Sequence, residues 1–145
     1  HNYTTTAELI AKAPVLGHGT GAYHVRVCDV MADPANCDTY SWHPHNQFLF
    51  LGADHGVIGM LLYGGIFVCM FLVAWRSRAP LGRPLLMVFA TLLLLDSLVN
   101  SPLWSPRESQ FFMYMLALLI CIASNRDPLT RQEPRAVDGA QTSSD

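Results

Sequence analysis

The sequence predicts an all-α polytopic membrane protein, with three transmembrane helices preceded by part of a water-facing loop. Three observations point there. Of 145 residues, 51% are hydrophobic and only 14% charged, against roughly 25% charged in an ordinary soluble domain. Long apolar runs begin only after Gly56, whereas all six histidines lie at or before His55. The arginines gather in short clusters between and after those runs. A net charge of −2 lacks the clustered basic face of a nucleic-acid binder, so no nucleic-acid partner is expected.

Taken in order, residues 6–12 (TAELIAK) read as a short helix. Ala13-Pro14 ends it, because the residue before proline avoids the helical region. Gly17-His18-Gly19-Thr20-Gly21 then forms an irregular turn, where glycines permit positive φ and close backbone approach. Such a turn either docks the loop onto the bundle or lends its amides to a phosphate or sugar pocket. No strand precedes it, so it is not a dinucleotide fingerprint. Residues 23–42 are polar and read as an extended loop, too long to be idle, with Arg26 its one strong anion-binding side chain. Cys28 and Cys37 flank part of this loop, and a disulfide is permitted there if it faces an oxidising compartment. Cys69 and Cys121 sit in apolar runs as small hydrophobes.

The first span opens near Phe48, and its charge-free part, residues 57–75, is about 28 Å long against a hydrocarbon layer of roughly 30 Å. Gly52, Gly56, Gly59, Gly64 and Gly65 leave grooves for close helix approach. Arg76, Arg78 and Arg83 surround Pro80 and Gly82 in a basic turn. The expected organisation is a loop over residues 1–47 and a membrane region over 48–124. Its spans cover about 48–75, 84–103 and 109–124, and a disordered tail occupies 125–145. Three spans are few for the polar residues they carry, so the chain reads as the C-terminal piece of a longer membrane protein.

Orientation follows from the arginines. Placing the 76–83 turn and the tail in the cytoplasm leaves only Lys12, Arg26 and Arg107 on the outer face, as the positive-inside rule prefers. Polar groups then converge outside. His45 and Asn46 stand at a helix N-terminus, whose dipole favours anions and a neutral imidazole. A neutral imidazole is what a general base needs. Asp54 and His55 follow two turns down. Asp96 lies in the second span with Asn100 on the same face, and Arg107 and Glu108 form the rim. An ionisable residue within a span is functional by default, although Asp96 also reads as a helix tie through Asn100 or Ser97. Without HExxH and with scattered acids, no metal site is expected.

Three stretches carry a family resemblance. The first is Ala13-Pro14-Val15-Leu16-Gly17-His18-Gly19-Thr20-Gly21. The second is His45-Asn46-Gln47-Phe48-Leu49, with Gly56-Val57-Ile58-Gly59 opening the apolar helix. The third is Asp96-Ser97-Leu98-Val99-Asn100-Ser101-Pro102-Leu103. In this order they resemble the C-terminal third of the O-antigen ligase and polymerase superfamily, over about residues 7–124.

The resemblance implies part of a larger glycosyltransferase bundle in the bacterial inner membrane, its site facing the periplasm and needing no metal or cofactor. Such enzymes move a glycan from undecaprenyl pyrophosphate to an acceptor, a lipid A–core sugar for the ligases. It implies His45 as the base that deprotonates the acceptor hydroxyl. Asn46, Arg26, His18, Asp96 and Arg107 are the expected substrate-binding residues. Other family arginines would lie upstream of His1. A polymerase, or a pilin-type protein glycosyltransferase, shares the same motifs. A non-catalytic transporter-like protein is a more distant alternative, disfavoured because the polar groups gather at one face.

Overall fold

The computed structural model describes residues 2–31 and 43–124, and it holds no strand among them. Helix α1 runs Asn2–Lys12, α2 is the single turn Tyr23–Arg26, and a 3-10 turn Val27–Val30 follows directly. Three long helices complete the chain: α3 Gln47–Arg76, α4 Gly82–Val99 and α5 Pro106–Ser124. The segment expected as an extended loop therefore begins with two helical turns. The remainder of that segment, residues 32–42, lies outside the described residues, as does the tail 125–145. Cys28 is disulfide-bonded, while Cys37 falls outside the described residues.

Helix α4 packs against both α3 and α5. Tyr63, Phe67, Met70 and Ala74 form a stripe on α3 that meets Leu86, Ala90 and Leu93 on α4, the spacing that keeps one helix face apolar. Ser97 extends the second stripe. Its hydroxyl donates to Leu93 O at 2.6 Å, so Tyr63 Oη, 2.8 Å away, donates to Ser97 Oγ. At the opposite end Ser77 Oγ donates to Ala123 O at 2.6 Å. There Gly82 is needed for space, because a Cβ on it would stand 2.6 Å from Ala123 Cα. Pro106 opens α5, where its fixed φ suits the first helical position and its missing N–H has no partner to lose.

Two helices, α3 and α4, are long and apolar enough to cross a membrane. Their apolar side chains mostly face outward: Leu61 and Leu62 are 69% and 70% exposed. A core helix of a soluble protein would cover such residues, whereas lipid accommodates them. Of the three expected spans, α5 is less apolar, since it begins with the polar run PRESQ.

Helix α3 departs most from the sequence expectation. It is broken at Gly56, whose φ of 64° and ψ of −160° belong to no helix. The short arm, residues 47–55, folds back along the long arm, residues 57–76. Phe48 packs its ring 5.2 Å from Tyr63 and 6.3 Å from Phe67; an unbroken helix would hold Phe48 and Phe67 about 28 Å apart. The long arm thus starts at Val57, and the stretch from 48 to 55 belongs to a cap packed on the bundle through Phe48 and Leu51.

The break strands backbone groups that a continuous helix would pair, and the loop after α1 takes up three of them. Ala53 O accepts from His18 N at 3.0 Å, and Asp54 O from Gly19 N at 2.8 Å. Val57 N, which would have bonded Ala53 O, donates to Pro14 O at 2.8 Å. The Asp54 carboxylate, 3% exposed, accepts from Gly21 N at 2.8 Å and Tyr23 N at 2.9 Å. Buried backbone polar groups require such partners. The approach is close enough that a Cβ on Gly56 would lie 2.3 Å from Val15 C, and one on Gly17 2.4 Å from Asp54 C. Leu9, Tyr23, Val27 and Ala53 form the core of this cap.

Candidate functional site

The segment entering α3 is His43-Pro44-His45-Asn46. Pro44 is buried and the His45 side chain exposed. His45 is the one non-glycine residue with positive φ, 53°, among the described residues. Such a conformation is uncommon outside glycine and is held only where surroundings over-determine it. Here Tyr3 Oη donates to His45 O at 3.2 Å, and His45 N donates to His43 Nδ1 at 3.3 Å. Asn46 fixes the next step twice. Its Oδ1 caps the helix by accepting from Leu49 N at 3.0 Å, and its Nδ2 donates to Leu98 O at 3.0 Å. Gln47, 1% exposed, accepts from Leu103 N at 3.0 Å. The short arm is therefore pinned to the end of α4 and to the connection that follows it.

The rings of His43 and His45 meet edge to face at 4.2 Å, and the His43 ring lies 5.2 Å from that of Trp104. Burial lowers the His43 pKa; repulsion from a charged His45 adds to this, and Glu108 opposes it. Because Nδ1 of His43 accepts a hydrogen bond, the neutral ring carries its proton on Nε2. His43 thus keeps Nδ1 as an acceptor to lower pH than an ordinary histidine would.

Beside this segment, at the junction of α4 and α5, a cleft of about 380 Å³ is lined by Asp96, Asn100, Arg107, Glu108, Phe111 and Phe112. The lining combines one cation, two acids and an amide with two aromatic rings. Arg107 stands in the first turn of α5, where the helix dipole already favours an anion. The cleft can take a polar ligand that carries an apolar neighbour.

The structure brings together Asp96 and Arg107, with Asn100 and Glu108. His45 and Asn46 are held at the same end of the bundle without lining the cleft. His18 and Arg26 lie elsewhere. The Nε2 of His18 is 2.9 Å from Leu9 O, within the cap. Arg26 projects outward and pairs with Asp29 at 3.4 Å, both side chains more than half exposed. The glycine turn docks the loop, and the amides of His18, Gly19 and Gly21 are spent on α3, not on a phosphate.

From sequence alone His43 reads as an interfacial or packing residue; the signal for more was the His43-Pro44-His45 tripeptide, whose proline stiffens the link between two rings. It also left Asp54 without a role, although that residue ties the cap together. Among the described residues, no three His, Cys, Asp or Glu side chains are grouped to hold a metal ion.

Fold and site together define a helical protein with two membrane-length helices and a polar cleft near one end. No protein family, curated protein or solved structure matches the chain.

Proposed function

We propose that this chain acts in glycan transfer from an isoprenoid pyrophosphate carrier, in the manner of the O-antigen ligase and polymerase superfamily. The observation that carries the reading is His45. Its backbone is held in a left-handed conformation while its ring stays exposed, next to a cleft bearing Arg107 and two phenylalanines. A disulfide-bonded Cys28 fits a loop on the oxidising, periplasmic side of the inner membrane. In this reading α5 completes a third span, with its polar first turn at the headgroup level.

The reaction is a displacement at the anomeric carbon. His45 takes the proton of an acceptor hydroxyl, and the resulting oxygen attacks C1 of the donor sugar. The C1–O bond to pyrophosphate breaks, and undecaprenyl pyrophosphate leaves with the bonding electron pair. Arg107 and the α5 N-terminus offset the negative charge of the leaving group. Phe111 and Phe112 meet the first isoprene units. Asp96 and Asn100 offer hydrogen-bond partners to sugar hydroxyls. His43 holds His45 in place and presents an Nε2 proton.

A lipid A–core acceptor defines the ligase reading, and another repeat unit the polymerase reading. Glycan analysis of a strain lacking the protein tests both. Loss of long chains with accumulation of lipid-linked polymer marks the ligase, and capping with a single repeat marks the polymerase. Unchanged surface polysaccharide and unchanged pilin glycosylation would remove the proposal.

A further inference from the structure

At the end of the bundle away from His45, the turn between α3 and α4 carries Arg76, Arg78 and Arg83, all exposed. No acidic residue occurs from Gly56 to Leu95, and among the described residues the one ion pair is Arg26 with Asp29. Three guanidinium groups thus stand together without a described counter-charge.

The turn is firmly held. Ser77 Oγ donates to Ala123 O at 2.6 Å and accepts from Ala79 N at 3.2 Å. Ala79 is 9% exposed, and Gly82 sits against the backbone of Ala123 with no room for a side chain. The positions from which the arginines project are therefore set by the fold. Trp75 is 70% exposed, and the Arg83 guanidinium lies over its ring at 5.5 Å. Leu81, 63% exposed, is a second apolar group on the same turn. A fixed arginine cluster with an outward tryptophan and leucine, joining two membrane-length helices, matches a layer that is anionic at its surface and apolar just beneath.

We propose that this turn is a binding seat for anionic glycerophospholipid headgroups. Arginine suits the role because its planar fork bonds phosphate oxygens in pairs. Trp75 sits at the ester level, and Leu81 enters the acyl region. The seat depends on α3 and α4 crossing a bilayer and is independent of glycan transfer at the other end.

The test uses the full chain reconstituted in nanodiscs of phosphatidylcholine with a minority of phosphatidylglycerol. Native mass spectrometry then counts the lipids retained by the protein. Phosphatidylglycerol should be enriched over its bulk share, and added salt should reduce the enrichment. The combined variant Arg76→Gln, Arg78→Gln, Arg83→Gln should lose about tenfold or more of that preference. The matching Arg→Lys variant should keep most of it. Should the glutamine variant fail to fold, Arg78→Gln alone and the salt dependence of the wild type decide the matter. Equal retention of both lipids by the wild type would overturn the proposal, as would enrichment untouched by the glutamines. It would also fall if enrichment appears only after residues 125–145 are deleted, which would make the acids of that segment the partners of the arginines.

Discussion

The ring of Phe48 rests 6.3 Å from the ring of Phe67, where a straight helix would separate the two by about 28 Å. The whole site depends on this fold-back. It carries Asn46 from the far end of a helix to Leu98 O on α4, and so sets His45 beside the α4–α5 end of the bundle. The reversal is made by one residue, Gly56, and locked by the loop that follows α1.

Gly56→Ala should therefore be severe. Alanine would adopt a strained positive φ and also meet the Val15 backbone at 2.3 Å. The expected loss is at least about 3 kcal/mol, since neither backbone segment can yield cheaply. Gly64→Ala provides the contrast, because nothing lies within 4 Å of its Cβ position and its helical backbone accepts alanine. Thermal unfolding in detergent should show a large fall for the first and little change for the second. Equal behaviour would contradict the hairpin.

Asp54 makes a second, independent lock. Replacing it with alanine leaves the buried Tyr23 amide and the part-buried Gly21 amide without their acceptor, a loss of about 2–3 kcal/mol. Hydrogen exchange should speed up at those two amides and leave the α3–α4 core unaffected. Exchange unchanged at both amides would show that the carboxylate does not hold them.

Much of this architecture was legible from residue order alone. The charge-free stretch after Gly56 marked the long arm of α3, and Ala13-Pro14 marked the end of α1, both by local rules. The break at Gly56 was not legible. A glycine within an apolar run reads as a packing groove, and only the approach of Val15, distant in sequence, turns it into a reversal. The same holds for the site. Asp96 and Asn100 share a face by helical spacing, and both line the cleft. The placing of His18 and Arg26 depends instead on how the cap folds, which no spacing encodes. The short helical turns from Tyr23 to Val30 also escaped notice, because Tyr23 and Val27 gain their helical geometry by packing on Leu9 and Ala53.

His43 gives a pH dependence with a definite sign. Its folded pKa lies below the ordinary 6.5, so in the window between the two values the unfolded chain binds more protons. Its stabilising contribution is complete above 6.5 and is lost as pH falls through that window. A histidine proton titration by NMR should find His43 below 6.5, and lower still in Glu108→Gln, which removes the opposing charge. Trp104→Ala should uncover the ring and raise the value again. Titration of wild-type His43 at or above 6.5 would contradict the packing described.

Arg107 and Arg26 should separate cleanly. Arg107→Gln should raise the KM for a pyrophosphate-linked donor about tenfold or more, the loss of one charge-assisted contact, with little change in thermal stability. Arg26→Gln should leave KM close to wild type, because Arg26 pairs with Asp29 outside the cleft. Donor titrations of the two variants check this, and the reverse order would move the anion site to the cap.

The most direct measurement is glycan transfer from undecaprenyl pyrophosphate by His45→Ala, with helix content and thermal stability recorded alongside. Transfer should fall by a factor of about 100 or more, the scale of a lost general base, while the exposed ring's removal leaves the fold intact. A properly folded His45→Ala protein that transfers glycan at the wild-type rate would contradict the account at its centre.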